Sequence, residues 1–186
     1  MSRILLISAT RLEHHDDSLF GIPIHIIGIG KVEAALNTKK LIEQYKLENA
    51  GGRPDCIINF GSCGNLKDHK VGDVLEVGEV HDDFYGCVVP EHDPIRINNS
   101  DIKLFTTDTF YDTNNYYSLH YNNMIKKCNL VDMEGYSIAK VAKNEGVKVS
   151  IYKWVSDDGS KSVWEENAAA GYSNFKEIFK SKYINE

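Results

Sequence analysis

The run DCIINFGS (55–62) limits the fold more than any other stretch. Its residues are nearly all apolar and do not alternate with polar ones, so the strand it predicts has no solvent face. Strands of that kind are covered on both sides, as in parallel sheets flanked by helices. ILLIS (4–8) predicts a first strand, and IPIHIIGIG (22–30) is a second apolar run that leads into KVEAALNTKKLIEQYKL. There Val32, Ala35, Leu36, Ile42 and Tyr45 recur at helical spacing, and ENAGGRP (48–54) ends the helix.

The alternation continues along the chain. GDVLEVGEV (72–80) and IKLFTTDTF (102–110) predict a fourth and a fifth strand, with irregular chain over 81–100. The Asn/Tyr-rich stretch 111–127 has no clear period. NLVDMEGYSIAKVA (129–142) begins as a strand and becomes a helix that ends at Gly146. VKVSIYKWVSD (147–157) is a long strand, and a last helix carries Phe175, Ile178, Phe179 and Tyr183 on one side. Strands alternating with helices imply an α/β class: one domain over 1–186, with a mostly parallel central sheet flanked by helices.

Composition then removes several function classes. Net charge is −6 with no basic block, which argues against a nucleic-acid surface. No apolar run approaches the roughly 18 residues of a membrane span. MSRILLISATRLEHH reads as a first strand, not a signal peptide. Cys56, Cys63, Cys87 and Cys128 are widely spaced and form no CxxC, so they are expected to be reduced thiols in a cytoplasmic protein.

In sheets of this class ligands bind beyond the carboxyl ends of strands. Glu13, Gly30, Ser62, Glu134 and Asp157 all fall there. GIGKVE (28–33) lacks the third glycine of a dinucleotide fingerprint, since Glu33 stands in its place; it predicts a turn whose amides approach a small ligand. FGSCGN (60–65) is either a plain strand–loop turn or a second such turn. HHDD (14–17), HDD (81–83) and EHD (91–93) lack zinc-site spacing and read as solvated loops, so no metal is expected. There is no Walker loop and no GxSxG elbow. Taken singly, Glu134 could be a helix-start acid and Asp157 a cap. Several carboxylates at the ends of separate strands suit a reaction that moves protons or develops positive charge.

GIGKVEAAL (28–36), INFGSCGNL (58–66), VGDVL (71–75), TTDTF (106–110), VDMEGYSIA (131–139) and VSDD (155–158) occur in this order. In that, the chain resembles the nucleoside phosphorylase/nucleosidase superfamily, and within it the methylthioadenosine/S-adenosylhomocysteine nucleosidase branch. The resemblance implies hydrolysis of the N-glycosidic bond of a purine nucleoside, with adenine as base, by a homodimer that needs no cofactor. It implies that Glu134 and Met133 bind the ribose hydroxyls. Asp157 would protonate N7 of the purine, with Ser156 beside it, and Glu13 would position or deprotonate water. Phe110 would stack on the base with Tyr111 next to it, while Ile29, Ser62 and Gly64 line the water and ribose side. Burial beside Trp154 and Val155 would help Asp157 act as an acid.

Hexameric phosphorylases of the superfamily carry an Arg where Asn59 stands, which favours water over phosphate as nucleophile; Arg11 keeps phosphorolysis open. The resemblance is also compatible with a nucleoside-binding protein without catalysis, and with a hydrolase of a futalosine-like nucleoside. The segment between GDVL and TTDTF is shorter than in the family, so a more open 5′ side is expected. Lys153 and Trp154 stand where the family has an Arg and a small residue.

Overall fold

A computed structural model of the chain describes residues 3–84 and 92–184. Its elements are β1 (Ile4–Ser8), β2 (Ser18–Leu19), β3 (Ile22–Ile26), α1 (Lys31–Glu48), β4 (Cys56–Asn65), β5 (Val74–Glu76), β6 (Glu79–Asp82) and β7 (Ile95–Arg96). There follow β8 (Lys103–Thr106), α2 (Leu119–Lys127), β9 (Leu130–Asp132), α3 (Gly135–Glu145), β10 (Lys148–Asp157), α4 (Lys161–Asn167) and α5 (Tyr172–Tyr183). The strands run in the order β2-β3-β1-β4-β9-β8-β6-β7, and β10 pairs with β4 and β5.

The sheet is mixed. β3, β1, β4 and β10 are parallel, as are β6, β8 and β9. β4 meets β9 antiparallel, through the two register pairs Gly64–Val131 and Asn65–Leu130. β2, β5 and β7 add antiparallel partners.

Period-two alternation distributes the apolar residues of the central strands between two layers. Leu5, Ile7 and Ile57 face α1 and α3, with Ala34, Ile42, Ile138 and Ala142. Leu6, Ile58, Phe60, Tyr152 and Trp154 face α5, with Tyr172, Phe175 and Phe179. Beyond the β4–β9 junction, α3 covers one face of β6, β8 and β9, and α2 covers the other through Tyr121 and Met124.

Some expectations need correction. The buried positions of α1 are Ala34, Thr38 and Ile42, whereas Val32 and Leu36 are exposed, so their helical spacing marks an outer stripe. The run 72–80 is two strands. Gly78 lies between them, where the Ser100 carbonyl oxygen packs so close that a Cβ would meet it at 1.8 Å. The stretch 111–127 contains α2, whose first turn is capped by Ser118 accepting from the Tyr121 N–H. Cys87 and Glu91 lie outside the described residues, as does part of the short 5′-side segment.

Candidate active site

Glu13, Glu134 and Asp157 come from three separate parts of the sheet to one cavity of about 360 Å³. Each is nearly inaccessible to solvent. Ile29, Ser62, Gly64, Met133, Phe110 and Tyr111 also line it. Ser156 does not: it is buried behind Asp157. Ser62 lies within β4, which continues to Asn65, and not in a loop after it.

Glu13 closes a short 3-10 turn (Arg11–Glu13) after β1, and Thr10 caps that turn by accepting from the Leu12 N–H at 3.3 Å. The turn brings the Glu13 carboxylate over β4. There Oε1 accepts from the Ser62 N–H at 2.7 Å and from the Ser62 hydroxyl at 2.8 Å. Oε2 accepts from the Ser8 hydroxyl at 2.6 Å. The carboxylate lies so close to β4 that a Cβ on Gly61 would sit 2.6 Å from Oε1.

VDMEG places two acids with different tasks. Asp132 ends β9 and accepts from the Gly135 N–H at 2.9 Å and the Thr106 hydroxyl at 2.7 Å, holding the start of α3 to the sheet. Glu134 makes no capping bond to its own helix. Its carboxylate instead reaches Gly30, which donates its N–H at 2.9 Å from the start of α1. Gly30 has φ of +94°, a conformation that favours glycine.

Lys153 lies beneath both acids, fully buried, with Nζ 2.9 Å from Asp132 Oδ2 and 4.0 Å from Glu134 Oε2. Burial works against its charge, but Asp132, Glu134 and Glu13 outweigh that and raise its pKa. Burial also pushes the Glu134 carboxyl up, to about 8; Lys153 and the Gly30 N–H oppose this, while Asp132 and Glu13 add to it. One ammonium among three acids leaves an excess of negative charge, which one proton on Glu134 relieves.

Asp157 sits where the register of β10 against β4 shifts, between Val155 and Asp157. Such irregularities re-aim side chains next to sites. Oδ1 accepts from the Gly159 N–H at 2.8 Å, and Oδ2 lies 2.8 Å from the Ser156 hydroxyl. That hydroxyl is also 3.1 Å from the Cys63 carbonyl oxygen, and its single proton serves one acceptor fully. With Asp157 protonated both contacts are satisfied, because Asp157 donates to Ser156 and Ser156 donates to Cys63. Burial raises the Asp157 pKa against the Gly159 and Ser156 hydrogen bonds.

Three residues at this site, all on α4, have no warning in the motifs. Trp164 of α4 lines the cavity, meets Phe110 edge-on at 6.2 Å and donates its indole N–H to the Ser62 hydroxyl at 3.0 Å. Lys161 and Glu165 of the same helix also line it. Among the described residues no group of three His, Cys, Asp or Glu could hold a metal ion, and no helix is long and apolar enough to cross a membrane.

No protein-family model matches the chain. Over 78 residues it is 42% identical to the 5′-methylthioadenosine/S-adenosylhomocysteine nucleosidase of Chromohalobacter salexigens, a stretch that is 40% of this chain and 30% of that relative. The matched part thus spans less than a third of that curated relative's length. A nucleosidase of the same kind from Colwellia psychrerythraea, solved in complex with adenine, superposes with a TM-score of 0.74 at 20% identity, covering 92% of this chain and 90% of that one. The futalosine hydrolase of Helicobacter pylori superposes with a TM-score of 0.73 at 17% identity, covering 97% of each chain. The chain has the nucleoside phosphorylase-like fold of the methylthioadenosine/S-adenosylhomocysteine nucleosidases and is related to them in sequence.

Proposed function

We propose that the protein hydrolyses the N-glycosidic bond of a purine nucleoside, with adenine as the base and ribose or a 5′-modified ribose as the sugar. The observation that carries this reading is the meeting of Glu13, Glu134 and Asp157 in one cavity with aromatic walls. Its volume is in the range of small-ligand sites. Loss of the base leaves an oxocarbenium-like sugar, a cation that buried carboxylates stabilise. Asp157 protonates N7 of the departing purine, Glu134 holds the ribose hydroxyls, and Glu13 takes the proton from the attacking water. Phe110 and Tyr111 flank the base.

Water is the nucleophile in this reading. Asn59 is fully buried with its amide aimed at the Ile7 carbonyl, and Arg11 is engaged outside the cavity by Asp17 at 2.7 Å. Neither brings positive charge to the cavity; the cation that does line it, Lys161, comes from α4 beside Trp164 and Glu165 and not from the Asn59 position. The test is chromatography with methylthioadenosine, S-adenosylhomocysteine, adenosine, AMP and inosine in phosphate-free buffer. Free adenine supports the reading. Base release only after phosphate is added replaces it with phosphorolysis, and release from inosine alone moves it toward a futalosine-like substrate.

Glu134 gives this activity a pH signature. Its carboxyl is pushed up to about 8 in the empty site, so near neutrality it holds a proton. Ribose hydroxyls donate to the ionised form, so binding expels that proton. Affinity therefore rises with pH, and KM is expected to fall by up to about tenfold per pH unit until about pH 8. Glu134→Gln should remove the dependence. A flat KM in the wild type would mean that Glu134 stays ionised throughout.

Gly61→Ala should lower kcat about 100-fold, because its Cβ displaces a carboxylate that three hydrogen bonds hold in place. Steady-state rates decide this, and an unchanged kcat would show that Glu13 has room to move.

The protein is also proposed to be a cytoplasmic homodimer. Cys56, Cys63 and Cys128 are free thiols, as a reducing compartment requires. Ile29, Val32 and Leu36 form an exposed apolar stripe that begins at the cavity. Val32→Asp with Leu36→Asp should give a monomer in sedimentation velocity, and a wild type already monomeric at micromolar concentration would remove this part of the reading.

A further inference from the structure

We propose that Trp164 is a positioning residue for Glu13, acting through the Ser62 hydroxyl. The proposal rests on the reading of Glu13 as the group that handles water.

The indole N–H is a donor only, whereas a serine hydroxyl has one proton and two acceptor sites. Ser62 Oγ lies 3.0 Å from Trp164 Nε1 and 2.8 Å from Glu13 Oε1. By occupying one acceptor site, the indole removes one direction for the hydroxyl proton, and of the directions that remain the one toward Glu13 Oε1 offers a carboxylate acceptor. Without that N–H the hydroxyl is free to rotate and to donate into the cavity. The Ser62 N–H reaches the same carboxylate oxygen at 2.7 Å, so the two donors together fix the direction of its lone pairs. Glu13 then presents one orientation to water.

The element that carries Trp164 makes the link consequential. α4 spans seven residues, none of them buried, and Ser160 makes no side-chain capping bond at its start. A helix that short is marginal by itself. Its indole joins it to the floor of the cavity at Ser62 and to the wall at Phe110. The covering helix and the orientation of the base are thus one connected unit, and a displacement of α4 releases the Ser62 proton from Glu13. Hydrogen-bonded chains of this kind strengthen their members beyond what each pair gives alone.

Trp164→Phe keeps an aromatic edge against Phe110 and removes only the N–H. It should lower kcat about fivefold while KM changes less than about twofold. Trp164→Ala, which also removes the ring, should raise KM as well. Combined with Ser62→Ala, Trp164→Phe should cost nothing further, because the link it breaks is already gone. In the free protein the Trp164 indole proton resonance, identified by its loss in Trp164→Phe, should move upfield in Ser62→Ala.

Additive losses in the double variant, or an indole resonance indifferent to Ser62, would overturn the proposal. A wild type that releases no base overturns the nucleosidase reading and this one with it. An active wild type whose kcat is indifferent to Trp164→Phe overturns this one alone.

Discussion

Asp157→Asn is expected to lower kcat about a thousandfold and to leave KM and the fold nearly unchanged. That loss corresponds to about 4 kcal/mol of transition-state stabilisation. A purine leaves poorly as an anion, so a proton delivered to N7 removes most of the barrier to departure. Burial already raises the Asp157 pKa, and the Ser156–Cys63 arrangement has a place for the added proton. Asparagine keeps the shape of the side chain. Its oxygen still accepts from the Gly159 N–H, and its amide donates to Ser156, whose proton remains for Cys63. What disappears is the transferable proton. Steady-state kinetics beside a thermal melt decide the matter: turnover within tenfold of wild type, with an unchanged melt, would take the acid's role away from Asp157.

The second large effect concerns stability. Lys153→Met should cost about 3–5 kcal/mol at neutral pH, because it leaves the Asp132 carboxylate buried with no cation. Both members of the Lys153–Asp132 pair have side chains only 1% exposed, so water cannot take over the ammonium's part. For a chain of this length the melting temperature should fall by about 10 °C or more. The loss should shrink at lower pH, since a protonated carboxyl needs no counterion. Lys153 holds the Glu134 carboxyl down, so in Lys153→Met that carboxyl takes up its proton above about 8 and is already neutral at pH 7. Lys153→Arg retains the charge and should recover most of the stability. Urea unfolding of Lys153→Met that matches wild type at neutral pH would mean that the acids are held neutral without help from the ammonium.

The legible parts of this fold are those where burial overrides everything else. β1, β4 and β10 lie between layers of helices, so their continuous apolar runs announce them. α2 gives little signal: only Tyr121 and Met124 are buried, and its stability comes from a serine cap and from packing. α1 misleads, since Val32 and Leu36 share the helical period while facing outward. At the site, Glu13, Glu134 and Asp157 are readable as acids at strand ends. Lys153 carries a weaker mark, a cation inside an apolar strand that alternation directs to the α3 side. Trp164 carries none, because its place depends on how the chain returns over the cavity after β10. Asp132 looks equivalent to Glu134 in sequence. The two differ because one turns back to its own helix and the other crosses to α1, over 104 residues of chain.

The position of β10 also bears on how the protein is made. It lies alongside β4 for nearly the whole length of that strand, yet it is the last of the described strands in chain order. On a ribosome, roughly ten seconds separate the two strands. During that interval the apolar edge of β4 that β10 will cover stays unpaired, and such an edge is a template for joining other chains. Crowded translation is therefore the stage at which this protein is most exposed to aggregation, and a chaperone that shields the nascent β4 edge would act there, before Asp157 and α4 have joined Glu13 and Ser62 at the cavity.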